Sequence, residues 1–399
     1  MAPSRNPKPP GRGAETAAPD LLGPSRRLWG WLTDTALPLW WRLGTDHAGG
    51  GFHEALGQDG APIWAPRRCR VPPRQIHAFS LAARRGWRGP ALSAAEHGLS
   101  HFLASFRRPD GLYRASIETD GRPRDDRAFL YDQAFALLGL DAAHALDPRP
   151  AWREAALELL GRVRDEFKHP AGGFRERGAD PFQSNAQMHL FEACLAWGAA
   201  GEGRFADTAG EIGLLCLDRL IDPALGAIDE FYDGDWRPSG PGAQAGGVRR
   251  IEPGHQFEWA WLLTSWNEAG GPEVRARADR LFRLAEASVS PSTHTAPGAI
   301  GPDGGLIDPV ARLWPQTERL RTAVRLAKDA GEDRHFYEGV ARDAAIGLGA
   351  YLETPVAGLW RDKLGPDGAF GEEPAPASSL YHLAGAIAAL KEMVIDTAP

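Results

Sequence analysis

The sequence predicts an all-α protein folded as an (α/α)6 barrel, a ring of about twelve helices in a single domain, and three observations lead to this prediction. Segments with helical spacing of apolar residues recur along the whole chain, whereas strand signals are scarce. The connections between these segments alternate between long and short. Each long connection contains a glycine followed by an aromatic or aliphatic residue, and this signature recurs at intervals of roughly sixty residues.

Each predicted helix is a run rich in alanine, leucine, glutamate and arginine that is bounded by glycine or proline. Short connections follow the even-numbered helices, as at Asp147-Pro148 and Gly270-Gly271-Pro272. In chain order, the predicted helices cover 28–43, 74–85, 92–106, 128–146, 152–167, 185–197, 204–220, 255–267, 273–287, 316–330, 336–352 and 379–394.

The long connections follow the odd-numbered helices, and we take as their marker residues Phe52, Leu112, Phe174, Ile228, Leu306 and Leu359. Six helical hairpins that bury their faces on their neighbours can close into a ring with an inner and an outer layer of helices. Because every long loop leads into an even-numbered helix, all six loops lie at one end of the ring, together with the N-termini of the even helices. We therefore expect the functional pocket at that end.

The composition excludes several classes of protein. With 43% hydrophobic and 24% charged residues over 399 positions, the chain has the mixture of an ordinary globular protein. Its net charge of -7 gives no overall attraction to nucleic acid or to anionic membranes, and no apolar run reaches the ~18 residues of a membrane span. Three widely spaced cysteines fit reduced thiols, which predicts a cytoplasmic protein.

The N-terminal segment 1–24 is rich in proline, glycine and arginine and lacks the apolar region of a signal peptide, so we expect a disordered tail. The remainder, 25–399, is predicted to form the catalytic barrel. A barrel of this size suits either a monomer or a homodimer, and the sequence does not distinguish them.

Polar residues gather where the even-numbered helices begin, which a purely structural repeat does not require. Each of these six helices carries polar groups in its first turns, and all six N-termini point to one end of the ring. The residues concerned are Arg74-Gln75, Tyr131-Asp132-Gln133, Asn185 with His189, His255 with Glu258, Trp314 with Gln316 and Glu318, and Tyr381-His382.

Their spacing suggests proton transfer. His255 and Glu258 are three residues apart, as are His189 and Glu192, so each pair shares a helix face. A neighbouring carboxylate orients an imidazole and raises its basicity, whereas a helix N-terminus disfavours the imidazolium. We expect His255 and His382 to carry protons near neutral pH, and His189 to bind the ligand.

The chain contains 14 tryptophans and 6 tyrosines, and flat indole faces suit the C–H faces of sugars. We expect Trp314 to be a stacking platform and Trp360, which lies in a long loop, to contact the ligand as well.

The sequence shows no phosphate loop, dinucleotide fingerprint or nucleophile elbow, and none of the usual metal-ligand spacings. No cofactor and no metal are therefore expected.

The segment 252–263, EPGHQFEWAWLL, closely resembles a hallmark of the N-acylglucosamine 2-epimerase superfamily, which includes mannose isomerases, bacterial mannose-6-phosphate isomerases and cellobiose 2-epimerases. The resemblance extends over about 28–394. Further segments that agree with this family are Arg74-Gln75, Met188-His189-Leu190 with Glu192-Ala193, Trp314-Pro315-Gln316-Thr317-Glu318, and Tyr381-His382.

The resemblance implies an (α/α)6 barrel that interconverts sugars by proton transfer at the carbon next to a carbonyl. It also implies that His255 and His382 are the general acid and base, and that Glu258 and Glu318 assist them in binding or polarising the sugar. The further residues expected to contact the substrate are Arg74, Tyr131, Asp132, Asn185, His189, Trp314, Gln316 and Trp360.

We therefore expect a cofactor-independent aldose–ketose isomerase that converts mannose or mannose 6-phosphate to the corresponding fructose form through a cis-enediolate. The alternatives are a sugar 2-epimerase on the same scaffold, an (α/α)6 glycoside hydrolase that would use Glu258 and Glu318 as its carboxylate pair, and a non-catalytic binding module. Five arginines in or near the active-end loops could hold a phosphate or be solvated surface charge: Arg67, Arg68, Arg70, Arg249 and Arg250.

Overall fold

The computed structural model of this chain describes residues 20–241 and 248–396. Most of the predicted disordered tail, 1–24, lies outside the described residues. The part that is described differs from the prediction, because the first helix begins at Leu22. Leu21 and Leu28 bury their side chains in the core, so the helical structure starts three residues before the predicted boundary at residue 25.

The described residues form twelve helical units, as predicted. Two of them, α1 (22–44) and α7 (203–220), combine α-helical and π-helical turns; in α1 the π-helical segments are Trp31–Ala36 and Trp40–Gly44, and in α7 the last turn is Cys216–Leu220. The other helices are α2 (Val71–Arg84), α3 (Ala91–Phe106), α4 (Leu130–Leu146), α5 (Pro150–Phe167), α6 (Ser184–Ala199), α8 (Pro253–Glu268), α9 (Arg275–Glu286), α10 (Leu313–Ala327), α11 (Arg334–Tyr351) and α12 (Leu380–Asp396).

The helices form two concentric layers, which confirms the predicted (α/α)6 barrel. Each even-numbered helix packs against the next even-numbered helix, and α12 packs against α2 to close the inner ring. Each outer helix packs on the inner helix that precedes it in the chain, and α1 packs on α12. Six hairpins therefore share one continuous core.

The inner helices are buried on most of their circumference. In α8, for example, a continuous run of residues from Pro253 to Thr264 is buried. A helix that is apolar on several faces belongs either to a protein core or to a membrane, and none of the described helices is long and apolar enough to cross one.

Short antiparallel strands occur in the long loops at one end of the barrel. The pairs are β1 (Ala55–Leu56) with β9 (Ala375–Pro376), β2 (Arg67–Arg68) with β3 (Ser116–Ile117), β3 with β4 (Pro123–Asp125), β5 (Ala299–Ile300) with β6 (Leu306–Asp308), and β7 (Ala311–Arg312) with β8 (Lys363–Leu364). Three pairs join different loops, whereas β3–β4 and β5–β6 each form within one loop. Single bridges at Gln183–Phe231 and Ile251–Ile300 connect two further pairs of loops. The rim is thus held together by backbone pairing.

Glutamine side chains attach four of the long loops to the inner helices. The amide of Gln133 accepts a hydrogen bond from the backbone N–H of Tyr113 at 2.8 Å and donates one to its carbonyl at 2.9 Å. The same two-sided pairing recurs between Gln187 and Phe174, Gln256 and Ile228, and Gln316 and Ala296.

This pairing corrects two predictions. Gln316 was expected to contact the substrate, but its side chain is fully buried and its amide is committed to Ala296. Leu306 was expected to be the buried marker of the fifth long loop, but it is exposed on β6. Ala296 is the buried residue that pairs with the glutamine, as the markers Phe174 and Ile228 do in their loops. The loop itself lies between the two helices that the sequence predicted.

We predict that Gln133→Leu lowers the free energy of unfolding by about 2–4 kcal/mol, because it leaves the buried N–H and carbonyl of Tyr113 without partners. Gln133→Glu should also destabilise the fold, because it buries a carboxylate that faces the carbonyl of Tyr113. Urea denaturation followed by circular dichroism measures both. A loss below about 0.5 kcal/mol for the leucine variant would contradict this role.

Candidate active site

A cavity of about 380 Å³ opens at the end of the barrel where the long loops lie. All six inner helices contribute to its wall, so the predicted location of the pocket agrees with the structure. The residues that line it are Arg68, Arg70, Arg74, Tyr131, Gln183, Asn185, His189, Glu230, Phe231, Glu252, His255, Glu258, Arg312, Trp314, Ser378, Ser379 and His382.

His255 stands at the start of α8 against a carboxylate from the preceding loop. Its Nδ1 lies 2.8 Å from Oε2 of Glu230 and 3.6 Å from Oε2 of Glu252. Burial alone would lower the pKa of this imidazole, but the two carboxylates and the nearby Glu258 raise it to about 10. At neutral pH His255 is therefore a cation that donates through Nδ1 and keeps its Nε2–H for the cavity.

Glu230 lines the cavity and contacts His255, but the sequence interpretation did not name it. The spacing on α8 pointed to Glu258 as the partner of His255, whereas the observed partner comes from a loop 25 positions earlier in the chain. One signal was available: Glu230 follows the loop marker Ile228 by two residues, and Gln256, next to His255, holds that marker. Two adjacent residues of α8 thus contact one short stretch of loop.

His382 stands at the start of α12. It also has a carboxylate at Nδ1, but its surroundings shift its pKa in the opposite direction from that of His255. Its Nδ1 lies 2.7 Å from Oε1 of Glu318, whose Oε2 accepts a hydrogen bond from Nε1 of Trp261 at 2.9 Å. Burial lowers the pKa of His382 well below its usual range, and the nearby Arg74 adds to that shift. Burial also raises the pKa of Glu318 to about 7.

Glu318 was expected to be catalytic, but it is fully buried and does not line the cavity. It acts through His382. When Glu318 is ionised, it accepts the proton on Nδ1, so Nε2 of the neutral imidazole presents a lone pair to the cavity. Trp314 lies between the two histidines, with ring centroids 4.9 Å from His255 and 5.8 Å from His382, and it can stack on a ligand that both histidines reach.

The third histidine of the cavity, His189, is a neutral group among carboxyl groups. Its Nδ1 lies 3.5 Å from Glu192 and 3.7 Å from Glu258, and burial lowers its pKa to about 4. Burial, with Glu318 and Glu192 close by, raises the pKa of Glu258 well above its usual range. Neither carboxyl oxygen of Glu258 has a hydrogen-bond partner among the described residues, so it can donate a proton to a sugar oxygen.

Arg321 lies below the cavity and offsets the negative charge of these carboxyl groups. Its Nη1 lies 3.8 Å from Glu192, and its guanidinium stacks 3.5 Å from the ring centroid of Trp261. The same cation contributes to the lowered pKa of Glu192 and offsets part of the rise that burial causes in the pKa of Glu318. A buried group of carboxyl side chains is costly without such a partner.

Arg74 is a buried cation that faces the cavity without an acidic partner. One Nη donates to the hydroxyl of Tyr131 at 2.7 Å, and the guanidinium lies 4.0 Å from the ring centroid of Phe135. No carboxylate of the described residues lies within ion-pair distance, and its Nε has no hydrogen-bond partner among them. An anionic ligand or intermediate in the cavity would supply the missing partner.

Two further predicted contacts lie elsewhere. Asp132 lines an adjacent cavity rather than the active-site cavity, and its Oδ1 is 3.6 Å from Nη1 of Arg70. Trp360 is fully buried and stacks on Trp40 with ring centroids 4.7 Å apart, so it belongs to the core. A loop tryptophan at the active end was expected to reach the ligand, but the apolar surface of α1 covers it instead.

Three groups of side chains have potential ligand atoms within 4.8 Å of one another, the donor set that a metal ion needs. All three combine one imidazole with two carboxyl groups, and all border the cavity. They are His189 with Glu192 and Glu258, Glu230 with Glu252 and His255, and Glu258 with Glu318 and His382.

A family model described as N-acylglucosamine 2-epimerase (GlcNAc 2-epimerase) matches residues 50–386. The chain belongs to this family. Mannose-6-phosphate isomerase of Rhizobium meliloti (strain 1021) is 44% identical over 91% of this chain and 95% of the relative. D-mannose isomerase of Marinomonas mediterranea is 26% identical over 72% of this chain and 77% of the relative.

A solved structure of cellobiose 2-epimerase from Bacillus thermoamylovorans B4167 superimposes with a TM-score of 0.83 at 16% identity, over 92% of this chain and 98% of the other. This likeness shows the fold. Membership of the N-acylglucosamine 2-epimerase family confirms the resemblance read from the sequence and makes the chain an isomerase that acts on carbohydrates.

We predict that Glu230→Gln lowers the pKa of His255 from about 10 to or below the ~6.5 of an unperturbed histidine, because an amide leaves the burial of the imidazole without its main compensating charge. NMR titration of the His255 ring, assigned with a His255→Gln variant, measures this. Glu252→Gln is the matched control and should give a smaller decrease, since that carboxylate is 3.6 Å away. An unchanged His255 pKa in Glu230→Gln would show that another group holds the proton.

Proposed function

We propose that this protein is a cofactor-independent aldose–ketose isomerase that converts mannose or mannose 6-phosphate to the corresponding fructose form. The observation that carries the proposal is that two histidines line one cavity, each with a carboxylate at Nδ1, in surroundings that shift their pKa values in opposite directions. His255 is held as a cation by Glu230, and His382 is held neutral by burial with its lone pair on the cavity side. An acid and a base at one site are what an enediolate mechanism requires.

In the first step, Nε2 of His382 removes the proton from C2 of the open-chain aldose. The electrons of the broken C–H bond form the C1–C2 double bond, and His255 donates its Nε2 proton to the carbonyl oxygen on C1. Arg74 stabilises the negative charge that develops on the oxygens. His255 can also protonate the ring oxygen beforehand, which opens the cyclic sugar.

In the second step, His382 returns its proton to C1, and the proton of the C2 hydroxyl passes to His255. The C2 carbonyl of the ketose forms, and both histidines regain their starting states. The protons balance without an added oxidant or reductant. A 2-epimerase would instead return a proton to the opposite face of C2, so the two reactions share an intermediate and differ only in where it is reprotonated.

Two observations favour the isomerase. The relative that is 44% identical over nearly its whole length is named for that reaction, and the relative at 26% identity is named for the reaction on the free sugar.

The glycoside hydrolase alternative needs two carboxyl groups that both reach the scissile bond. Glu258 lines the cavity, but Glu318 lies behind His382, so the pair expected from the sequence is not available.

The direct test is incubation with mannose, and separately with mannose 6-phosphate, in D2O, followed by NMR of the products. We expect the ketose, with deuterium incorporated at C1 to the extent that the bound proton exchanges with solvent. Activity should persist after dialysis against EDTA, and His382→Gln should lower kcat by about 10²–10⁴-fold. An epimer with no ketose would establish the 2-epimerase, and loss of activity with EDTA would assign one of the carboxyl–imidazole groups to a metal.

The pH dependence of kcat/KM is expected to be bell-shaped. Activity should rise as pH passes about 7, because Glu318 must be ionised to keep the lone pair of His382 on Nε2, and it should fall near pH 10, where His255 loses its acidic proton. In Glu318→Gln the acidic limb should disappear, whereas the alkaline limb should remain. An acidic limb that survives this substitution would show that a different group controls His382.

A further inference from the structure

The walls of the active-site cavity carry opposite charge. Three acids, Glu230, Glu252 and Glu258, lie on α8 or in the loop that leads into it, around His255. Three arginines, Arg68, Arg70 and Arg74, come from α2 or the segment that leads into it. In a closed ring of six inner helices, α2 and α8 are diametrically opposed, so a ligand in the cavity spans an acidic wall and a cationic wall.

Arg74 lies deepest on the cationic wall and faces the reacting groups, whereas Arg68 and Arg70 lie nearer the mouth. The side chains of Arg68 and Arg70 are 44% and 32% exposed. Arg68 forms an ion pair with Glu54, whose carboxylate accepts hydrogen bonds from its backbone N–H and from its Nε, both at 2.6 Å. This leaves the two Nη groups of Arg68 without a hydrogen bond to the described residues.

Arg70 has an acidic neighbour, Asp132, but forms no hydrogen bond with it. Its guanidinium lies 5.2 Å from the ring centroid of Tyr131, and its nearest carboxylate oxygen, on Asp132, is 3.6 Å away, beyond hydrogen-bond distance. Burial raises the pKa of Asp132 to about 7, which weakens that competition further. Arg70 therefore presents its hydrogen-bond donors to the cavity.

The other arginines considered from the sequence are engaged by acids elsewhere. Arg67 is buried in an ion pair with Asp46. Arg249 pairs with Asp222 and Asp229, and Arg250 pairs with Glu252 and Asp308; none of these arginines lines the cavity. Arg312 does line it, but it stands beside α10 and is paired with Asp362 at 3.3 Å.

We propose that Arg68 and Arg70 form a phosphate subsite, so that the preferred substrate is a sugar phosphate bound with its phosphate at the cationic wall and its carbonyl end between His255 and His382. This inference rests on the proposed function and names its substrate class. Guanidinium groups bind phosphate oxygens through paired, charge-assisted hydrogen bonds, and Arg70 together with the Nη groups of Arg68 supplies several such donors at one side of the cavity. The acidic wall opposite disfavours the reversed orientation, because it would place the phosphate against Glu230 and Glu252.

In this orientation the three arginines have different roles: Arg68 and Arg70 bind the phosphate, and Arg74 stabilises the reacting end of the sugar. A substrate anchored at Arg68 and Arg70 places its reacting carbons deeper, where Arg74 is the cation without an acidic partner. The phosphate then does not compete with the developing enediolate for Arg74. A free sugar fits the same reacting end but leaves the two outer arginines without a ligand.

The test compares kcat/KM for mannose 6-phosphate with kcat/KM for mannose in the wild type, in Arg70→Gln and in Arg70→Lys. We expect the wild type to prefer the phosphorylated sugar. Arg70→Gln should lower kcat/KM for mannose 6-phosphate by about 10- to 100-fold more than it lowers kcat/KM for mannose, and the additional loss should appear mainly in KM. Arg70→Lys should give an intermediate loss, since it keeps the charge but not the paired geometry.

Arg124→Gln is the matched control. Arg124 lies on β4 of the same small sheet that carries Arg68, it is 53% exposed beside Glu118, and it does not line the cavity. Neither substrate should respond to this substitution. Thermal unfolding of each variant identifies any change in stability.

Binding of inorganic phosphate, measured by isothermal titration calorimetry, provides a readout that does not depend on turnover. Wild type should bind phosphate competitively with fructose 6-phosphate, and Arg70→Gln should bind it at least about tenfold more weakly. Equal losses for mannose and mannose 6-phosphate in Arg70→Gln, or equal kcat/KM for both sugars in the wild type, would overturn the phosphate subsite and leave the isomerase standing. If neither sugar is turned over while phosphate binding still depends on Arg70, the proposed function fails and the subsite remains.

Discussion

The active site depends on amide side chains that hold the long loops against the inner helices. A loop of twenty or more residues has no fixed position of its own, and the polar groups of its backbone must be paired wherever it is buried. In four of the six repeats, a glutamine one turn into the inner helix pairs with both the N–H and the carbonyl of one loop residue. Gln75 binds the carbonyl of Ala377 in a related way, next to the turn that leads into α12.

The consequence for the chemistry is clearest at α8. His255 and Gln256 are adjacent and therefore point in different directions on the helix, one into the cavity and the other into the wall. Gln256 holds Ile228, and two residues later Glu230 reaches Nδ1 of His255. The pairing of Gln256 with Ile228 thus helps to position Glu230, the carboxylate that keeps His255 protonated.

Because the site is buried, its charged groups must compensate one another. The cavity and its floor contain three imidazoles, several carboxyl groups, the buried Arg74 and the partly buried Arg321, in surroundings where an isolated charge is strongly disfavoured. The balance is reached differently on each side. His255 remains charged because Glu230 and Glu252 face it, whereas burial keeps His382 neutral and the nearby Arg74 and Arg321 add to that shift. Two residues of the same type thereby acquire the complementary roles of acid and base.

Much of this could be predicted from the sequence. The twelve helices, the closed ring, the active end and eight of the seventeen cavity residues followed from periodic apolar spacing and from polar residues at the starts of even helices. Helix geometry relates sequence spacing directly to direction in space. The family motif added the roles of His255 and His382. The errors concern residues whose environment is set by other parts of the chain. Gln316 and Trp360 lie at the active end in the sequence, but the first pairs with a loop and the second stacks on α1.

The sequence by itself determined the barrel, the end at which the site lies and the residue types available for proton transfer, since these depend on spacing within single helices. Only the tertiary structure decided which carboxylate pairs with which histidine, which arginines remain open to the cavity, and which polar residues are used up in holding loops. These contacts join segments tens or hundreds of residues apart, as in the pairs His255–Glu230 and His382–Glu318. A pKa depends on distances of a few ångströms between such segments, and local sequence patterns do not contain those distances.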